Sequence, residues 1–179
     1  IASSFALYFL LLVLVANIFY FQTSLCGDAA DQALIMGICR QVEDSTFRLN
    51  TFKQNIPTHP YTPTVVTQVA ISQSLQHASN NRNFIETSKA SSKDKDIQNL
   101  FAICDSGYGF LITKLQSATQ SLPKRDFNAL ENSLSKCPKF VNDCRSAFGG
   151  KTTPELLDRS RKQLDLVLMA NIAEGLIQK

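Results

Sequence analysis

The most regular pattern of apolar residues in this 179-residue chain runs from position 97 to position 122. Apolar side chains recur there at alternating intervals of four and three residues, which places them along one stripe of an α-helix. The stripe consists of Ile97, Phe101, Cys104, Tyr108, Leu111, Leu115, Ala118 and Leu122. A stripe of this length is typical of a helix that packs lengthwise against other helices in a bundle.

A second apolar stripe begins after the turn signal Leu122-Pro123-Lys124. Its members alternate at intervals of three and four residues and are Phe127, Leu130, Leu134, Cys137, Val141, Cys144 and Phe148. The two stripes predict an antiparallel pair of helices joined by a short turn. The second helix is expected to continue on both sides of Pro138 and to bend there, because proline lacks a backbone N–H.

The register of this helix pair predicts a disulfide bond. If the chain reverses near Lys124, Cys104 and Cys144 lie equally far from the reversal, so their Cα atoms face each other. Cys137 faces Leu111 instead, and joining it to Cys104 would need a slip of roughly 10 Å along the helices, beyond the disulfide limit of about 7 Å. We therefore predict a bond between Cys104 and Cys144, and the alternative is two buried free thiols.

The segment before the bundle predicts a small helical hairpin. Residues 31–39 and 45–54 show short helical patterns, with Ser45 as the N-cap of the second helix. Three prolines between positions 56 and 63 predict an extended linker after it. The hairpin extension therefore covers residues 27–56.

Two Thr-Pro pairs, Thr62-Pro63 and Thr153-Pro154, mark the starts of the first and last bundle helices. The first should end in the polar stretch 87–96, and Gly149-Gly150 should stop the helix before the last one. The last helix carries apolar residues at Leu156, Leu157, Leu164, Val167, Leu168, Ile172 and Leu176. The predicted fold is all-α, an antiparallel up-and-down four-helix bundle over residues 62–179 with a short N-terminal helical hairpin.

The first 26 residues carry no charged side chain, and residues 5–21 are almost continuously apolar. This pattern predicts a secretory signal peptide over residues 1–26, cleaved before Gly27. The chain begins with Ile and has no basic residue ahead of the apolar run, so the signal is read as N-terminally incomplete. An uncleaved membrane anchor is the alternative, because a run of this length is near the lower limit for spanning a bilayer.

Composition and charge argue against several function classes. The net charge is only +3, and no Lys/Arg run is interleaved with aromatic residues, so nucleic-acid binding is not expected. The two histidines, His59 and His77, are read as solvated side chains without cysteine or carboxylate at metal-ligand spacing. No phosphate loop or nucleophile elbow occurs either. The chain is therefore not expected to be an enzyme, nor to hold a metal or cofactor.

Three motifs resemble the plant invertase and pectin methylesterase inhibitors. Residues 38–47 look like the family's opening motif, Cys104-x-x-x-Tyr108 with Leu115 like its central motif, and Asp143-Cys144-x-x-x-Phe148 like its third. The resemblance covers nearly the whole chain after the signal segment. It implies a secreted, all-helical protein with a short hairpin and a four-helix bundle.

The resemblance also implies the function. The leading hypothesis is an inhibitor of pectin methylesterase in the apoplast or cell wall, which lays the polar outer face of its bundle across the enzyme's active-site cleft in a reversible complex. The alternative partner is acid invertase (β-fructofuranosidase), for which the vacuole is also a candidate location. A third hypothesis is a secreted binding or structural protein that has kept the fold without inhibition.

Two cysteines depart from the pattern that the resemblance implies. The family places a second cysteine nine positions after Cys39, where this chain has Arg48. The hairpin is therefore expected to lack its usual disulfide and to be looser or held by packing alone. Cys137 is an additional cysteine on the stripe, interpreted as a buried free thiol; pairing with Cys39 or between two molecules is the alternative.

The tripeptide Pro138-Lys139-Phe140 is the candidate partner contact. In the invertase inhibitors of this family the same three residues plug the active site, from a segment well ahead of the third motif's cysteine. Here the tripeptide lies within the apolar stripe, with three residues between it and Cys144. We expect Phe140 to be partly buried beside Val141 rather than to project as a plug.

Overall fold

The computed structural model describes residues 32–41, 45–56 and 61–177, so the predicted signal segment lies outside the described residues. Residues 32–39 are helical, and we label them α1. The other helices are α2 (Ser45–Asn55), α3 (Pro63–Ser91), α4 (Lys95–Ser121), α5 (Phe127–Leu134), α6 (Cys137–Phe148) and α7 (Pro154–Glu174). The described part of the chain contains no β-strand, which agrees with the predicted all-α class.

The predicted helix starts at the two Thr-Pro pairs are confirmed. Thr62 Oγ1 accepts a hydrogen bond of 3.2 Å from the backbone N–H of Val65. Thr153 does the same for Leu156, also at 3.2 Å. In both helices the proline stands in the first turn, where its missing N–H is not needed.

Helix α3 is longer than predicted. It continues through the first part of the polar stretch and ends at Ser91, where the Ser92 N–H bonds to the Ser88 carbonyl at 3.1 Å. Polar side chains on a solvent-facing turn do not by themselves stop a helix, because the backbone hydrogen bonds remain intact. The Asp94 side chain then caps the start of α4 by accepting from the N–H of Asp96 at 2.8 Å.

The prediction of a single helix from Phe127 to Phe148 that bends at Pro138 is wrong. Ser135 and Lys136 separate α5 from α6, so Pro138 stands in the first turn of a new helix. Proline at position 138 cannot donate to the Leu134 carbonyl four residues earlier. The Asn171 side chain of α7 donates to that carbonyl instead, at 3.2 Å.

The apolar stripe nevertheless stays in phase across this break. Ser135 and Lys136 keep right-handed helical backbone angles, so the chain turns by nearly the same amount as a continuous helix would. All members of the second stripe except the half-buried Phe127 are buried, and all members of the first stripe except the half-buried Ile97 are buried. The hydrophobic pattern therefore identified the correct core face of both elements.

The bundle consists of α3, α4, the α5–α6 unit and α7, connected in sequence by short turns. Helix α4 packs against α3, α5 and α6, while α7 packs against α3, α5 and α6 and completes the bundle. Gly149 follows α6 with a positive φ of 52°, a conformation that glycine adopts without strain. This arrangement is the predicted up-and-down four-helix bundle, with one of its four members broken.

The N-terminal hairpin packs against α3 and α7 through α2. Arg48 is fully buried, and its guanidinium donates a hydrogen bond to the backbone carbonyl of Cys39. Of the two expectations for the hairpin, packing alone is therefore wrong, and a looser hairpin stays a prediction. A side chain-to-backbone hydrogen bond joins α1 to α2 at the position where the family that this chain resembles has a disulfide.

Candidate functional site

The tripeptide Pro138-Lys139-Phe140 lies in the first turn of α6, beside the break in the third bundle member. Lys139 is the most accessible of the three, with 72% of its side chain exposed and its Nζ 2.5 Å from Asp143 Oδ2. An exposed ion pair of this kind is worth less than about 1 kcal/mol, so a binding partner can replace it at little cost. Phe140 is half-buried, as expected, and packs against the core.

An aromatic residue of α4 extends this surface. The rings of Phe110 and Phe140 stack with their centroids 5.7 Å apart and an interplanar angle of 26°. Phe110 is 61% exposed, and Ile103, two helical turns earlier on α4, is 49% exposed. We call the surface formed by Ile103, Phe110, Lys139, Phe140 and Asp143 the α4–α6 patch.

Sequence reasoning missed the two α4 members of the patch. Ile103 and Phe110 lie off the predicted stripe, and the only signal for them was their spacing of seven residues, which places both on one outward face of α4. An exposed phenyl ring supported from behind by a second ring is typical of an anchor in a protein interface.

The backbone beneath the patch is held rigidly. The predicted disulfide joins Cys104 of α4 to Cys144 of α6, with their Cα atoms 4.4 Å apart. A Cβ added to Gly107 would lie 3.1 Å from the Phe140 carbonyl oxygen, so glycine permits the close approach of the two helices there. Binding residues on such a preorganised base lose little conformational entropy in a complex.

The two remaining described cysteines are buried free thiols. Cys39 and Cys137 form no disulfide with each other, in agreement with the interpretation of Cys137 as unpaired. Burial raises the pKa of the Cys39 thiol, and it raises the pKa of Cys137 to about 12. The Cys137 Sγ–H donates to the Ser133 carbonyl at 3.3 Å. Neither thiol has the character of a nucleophile, because the reactive form is the thiolate.

His77 belongs to a polar cluster between α3 and α7. Its Nδ1 lies 3.1 Å from Gln163 Oε1 and 3.1 Å from Asn81 Nδ2, so the interpretation of a solvated side chain is wrong. Burial lowers the pKa of His77 despite the opposing hydrogen bond from Gln163, and this lower pKa favours the neutral imidazole at neutral pH. The other histidine, His59, lies outside the described residues.

The polar cluster has a structural role, because its side chains hydrogen-bond to one another between the helices. Asn81 donates to the Tyr108 hydroxyl at 3.3 Å, and Gln163 donates to Ser74 Oγ at 2.9 Å, so its members satisfy one another. Within residues 32–41, 45–56 and 61–177, no group of three or more His, Cys, Asp or Glu could hold a metal ion. The described helices also include none long and apolar enough to span a membrane.

Together these features define a helical-bundle protein in which a disulfide lies beneath an exposed aromatic patch. The family model described as "Plant invertase/pectin methylesterase inhibitor" matches residues 33–173, and the chain belongs to this family.

Solved structures support the fold. The chain is similar to a mutant form of a pectin methylesterase inhibitor from Arabidopsis, with 12% identity and a TM-score of 0.70 over 79% of this chain and 95% of that one. It is also similar to a pectin methylesterase inhibitor from Arabidopsis thaliana, with 14% identity and a TM-score of 0.63 over 83% of this chain and 99% of that one. At these identities the likeness shows the shared fold alone. No curated protein matches the chain.

Proposed function

We propose that this protein is secreted to the plant cell wall and inhibits pectin methylesterase by forming a reversible protein complex that covers the enzyme's active-site cleft. Membership of an inhibitor family supports this proposal, as do the pectin methylesterase inhibitors among the structures that share its fold. The uncharged apolar segment over residues 1–26 supports secretion.

The α4–α6 patch is the observation that carries the proposal. It combines an exposed aromatic anchor, Phe110, with a rim of opposite charges at Lys139 and Asp143. Aromatic anchors surrounded by polar residues contribute most of the energy in many protein interfaces. The disulfide beneath the patch keeps its two helices in fixed positions before the partner arrives.

Acid invertase is the second candidate target, and the position of the tripeptide favours it. The tripeptide Pro138-Lys139-Phe140 lies beside a helix break. The side chain of Lys139 is exposed far enough to enter a pocket of a partner. The half-buried Phe140 opposes the plug hypothesis, because its ring already packs against Phe110 and the core.

Inhibition assays with matched variants test the proposal. Recombinant protein lacking residues 1–26 is assayed against pectin methylesterase and acid invertase at mildly acidic pH. Phe110→Ala should weaken inhibition about 30-fold, equivalent to roughly 2 kcal/mol of binding free energy, with little change in melting temperature. Leu157→Ala is the control, because Leu157 is 46% exposed on α7 beside the C-terminal end of α6.

The variants also separate the hypotheses. If Lys139→Ala or Phe140→Ala abolishes invertase inhibition at unchanged stability, the target is invertase and the tripeptide is a plug. Our expectation is that Phe140→Ala lowers the stability by about 1 to 2 kcal/mol, because a half-buried ring loses its packing. Failure of the parent protein to inhibit either enzyme would leave a binding or structural protein that has kept the fold.

A further inference from the structure

A polar cavity lies between the hairpin and the bundle. Its volume is about 240 Å³, and its walls come from α2, α3 and α7. Seven of its nine lining residues carry an amide, hydroxyl or imidazole group, and the other two are Phe47 and Leu166. None of the nine carries a formal charge at neutral pH. Such a lining differs from the mostly apolar wall of a common small-molecule site.

Some of the lining side chains hydrogen-bond to one another and hold the walls of the cavity together. Gln73 Nε2 of α3 donates to Asn55 Oδ1 of α2 at 2.8 Å, and Asn55 Nδ2 donates to the Thr51 carbonyl at 2.7 Å. These bonds fix two amides across the junction of hairpin and bundle. His77 directs its Nδ1 to Gln163 and Asn81, which leaves its Nε2 for a group in the cavity.

Other lining groups have their hydrogen-bonding capacity available. Gln54, Gln76 and Asn80 are exposed, and within the described part of the chain their side chains make no hydrogen bond. Gln73, Gln76, His77 and Asn80 follow one another at positions i, i+3, i+4 and i+7, so α3 presents them on one face. Each amide offers donors and an acceptor in a fixed plane.

We propose that this cavity binds one neutral sugar unit. Sugar hydroxyl groups both donate and accept, which matches amide side chains with both functions. The half-buried ring of Phe47 offers apolar contact for the C–H face of a pyranose ring, and the volume of the cavity suits about one ring. The sugar can be free or one unit of a polysaccharide.

The charges around the cavity favour a neutral ligand over an acidic one. Lys162 Nζ lies 6.0 Å from the centroid of the Phe47 ring, but it is bound to Asp158 Oδ2 at 2.7 Å. Its charge is therefore compensated at the edge of the cavity. The cavity shares no helix with the α4–α6 patch, so a bound sugar would hold the protein on a glycan and leave the patch open to an enzyme.

Nuclear magnetic resonance titrations test this inference with methyl β-D-glucopyranoside and methyl β-D-galactopyranoside as neutral probes and D-galacturonate as the acidic one. A neutral probe should cause saturable shifts, with a dissociation constant in the millimolar range, of the His77 ring and the Gln54, Gln76 and Asn80 side-chain amides. Gln76→Ala/Asn80→Ala should weaken that binding at least tenfold without changing the unfolding midpoint. The matched control is Asn99→Ala/Gln120→Ala, which removes two exposed amides from α4 and should bind as the parent does.

Three results would overturn the assignment. They are the absence of saturable shifts with both neutral probes, unchanged binding in the Gln76→Ala/Asn80→Ala variant, and galacturonate binding as tightly as the neutral sugars. A further titration compares a β-linked tetramer of the binding sugar with its monomer. Tighter binding of the tetramer would identify the ligand as one unit of a polysaccharide, whereas equal binding would identify it as a free sugar. The inference does not depend on the proposed enzyme inhibition, since the titration contains no enzyme.

Discussion

Two helix interfaces of this bundle differ in the kind of side chain that holds them together. Between α4 and α6 lie a disulfide at Cys104 and an edge-to-face pair of Phe101 and Phe148, whose ring centroids are 4.9 Å apart. We call this the stapled interface. Between α3 and α7 lie buried polar side chains that hydrogen-bond across the interface, chiefly Asn81, which donates to a backbone carbonyl of α7, and Gln163, which donates to a serine of α3. We call this the polar interface.

The difference teaches how each interface sets its register. Apolar packing is nondirectional, so the stapled interface needs a covalent bond and the close contact at Gly107 to define one alignment. Buried polar groups stabilise only the alignment in which their partners meet, and they are costly in any other. Four predictions test this division of roles, from the largest expected effect to the smallest.

Loss of the disulfide should have the largest effect. Its cysteines are 40 residues apart, and closing a loop of this size lowers the entropy of the unfolded chain by an amount worth about 4 kcal/mol. Reduction of the parent protein should lower the free energy of unfolding in urea by about this amount. The Cys104→Ala/Cys144→Ala variant is the control and should not respond to the reductant. If the reductant leaves the free energy of unfolding of the parent protein unchanged as well, the disulfide does not contribute to its stability.

Breaking the polar interface should have the next largest effect. Gln163→Leu removes the partner of Ser74 Oγ and one contact of His77, and leaving buried polar groups unpaired costs about 2 kcal/mol. Urea unfolding measures this cost, with the exposed Gln68→Leu on α3 as control. Adding Ser74→Ala should cost less than the sum of the single changes, because the two side chains share one hydrogen bond. Strict additivity would contradict the coupling.

Two glycines of α4 should respond in opposite directions. A Cβ at Gly107 would lie 3.1 Å from the Phe140 backbone oxygen, so Gly107→Ala should push the stapled interface apart and cost about 1 kcal/mol after the gain in helix propensity. At Gly109 an added Cβ would meet Arg82 Cζ at 4.0 Å, an ordinary contact distance to a flexible side chain. Gly109→Ala should therefore stabilise the protein by about 0.5 to 1 kcal/mol. Thermal unfolding compares the two, and equal signs would refute the proposed close approach.

The smallest effect concerns pH and the polar interface. Burial places the pKa of His77 in the folded protein below its ordinary value of 6.5. Below that pH the unfolded chain binds more protons than the folded one, so His77 makes the stability decrease as the pH falls. His77→Gln should therefore lose less unfolding free energy than the parent protein between neutral and mildly acidic pH. An identical pH dependence in the variant and the parent would argue against a neutral, buried His77.

The sequence alone determined the stapled interface. Its buried positions are apolar and recur at intervals of three and four, so they can be read from local spacing. The symmetric placement of Cys104 and Cys144 about the turn then predicted the disulfide that the structure contains. The helix starts at Thr62 and Thr153 were equally readable, because a capping hydrogen bond joins residues only three positions apart.

Only the tertiary structure decided the polar interface. Asn81 and Gln163 look like surface residues in the sequence but are buried, while Leu157, one of the apolar positions of the last helix, is 46% exposed. Whether a polar side chain can be buried depends on a partner from a distant part of the chain, and local spacing carries no information about that partner. The same reason explains why Arg48 was not expected to bond to Cys39.

The helix break and the candidate binding surfaces were also decided by tertiary contacts. Pro138 in the sequence predicted the loss of one backbone hydrogen bond, because proline has no N–H. Only the packing of α7 places Asn171 where it donates to the Leu134 carbonyl and so permits the break. Likewise, Phe110 belongs to the candidate binding surface because α6 brings Phe140 against its ring. The periodicity of apolar residues determines which face of a helix is buried. The neighbours across that face determine where a buried polar side chain or a break in the helix is stable.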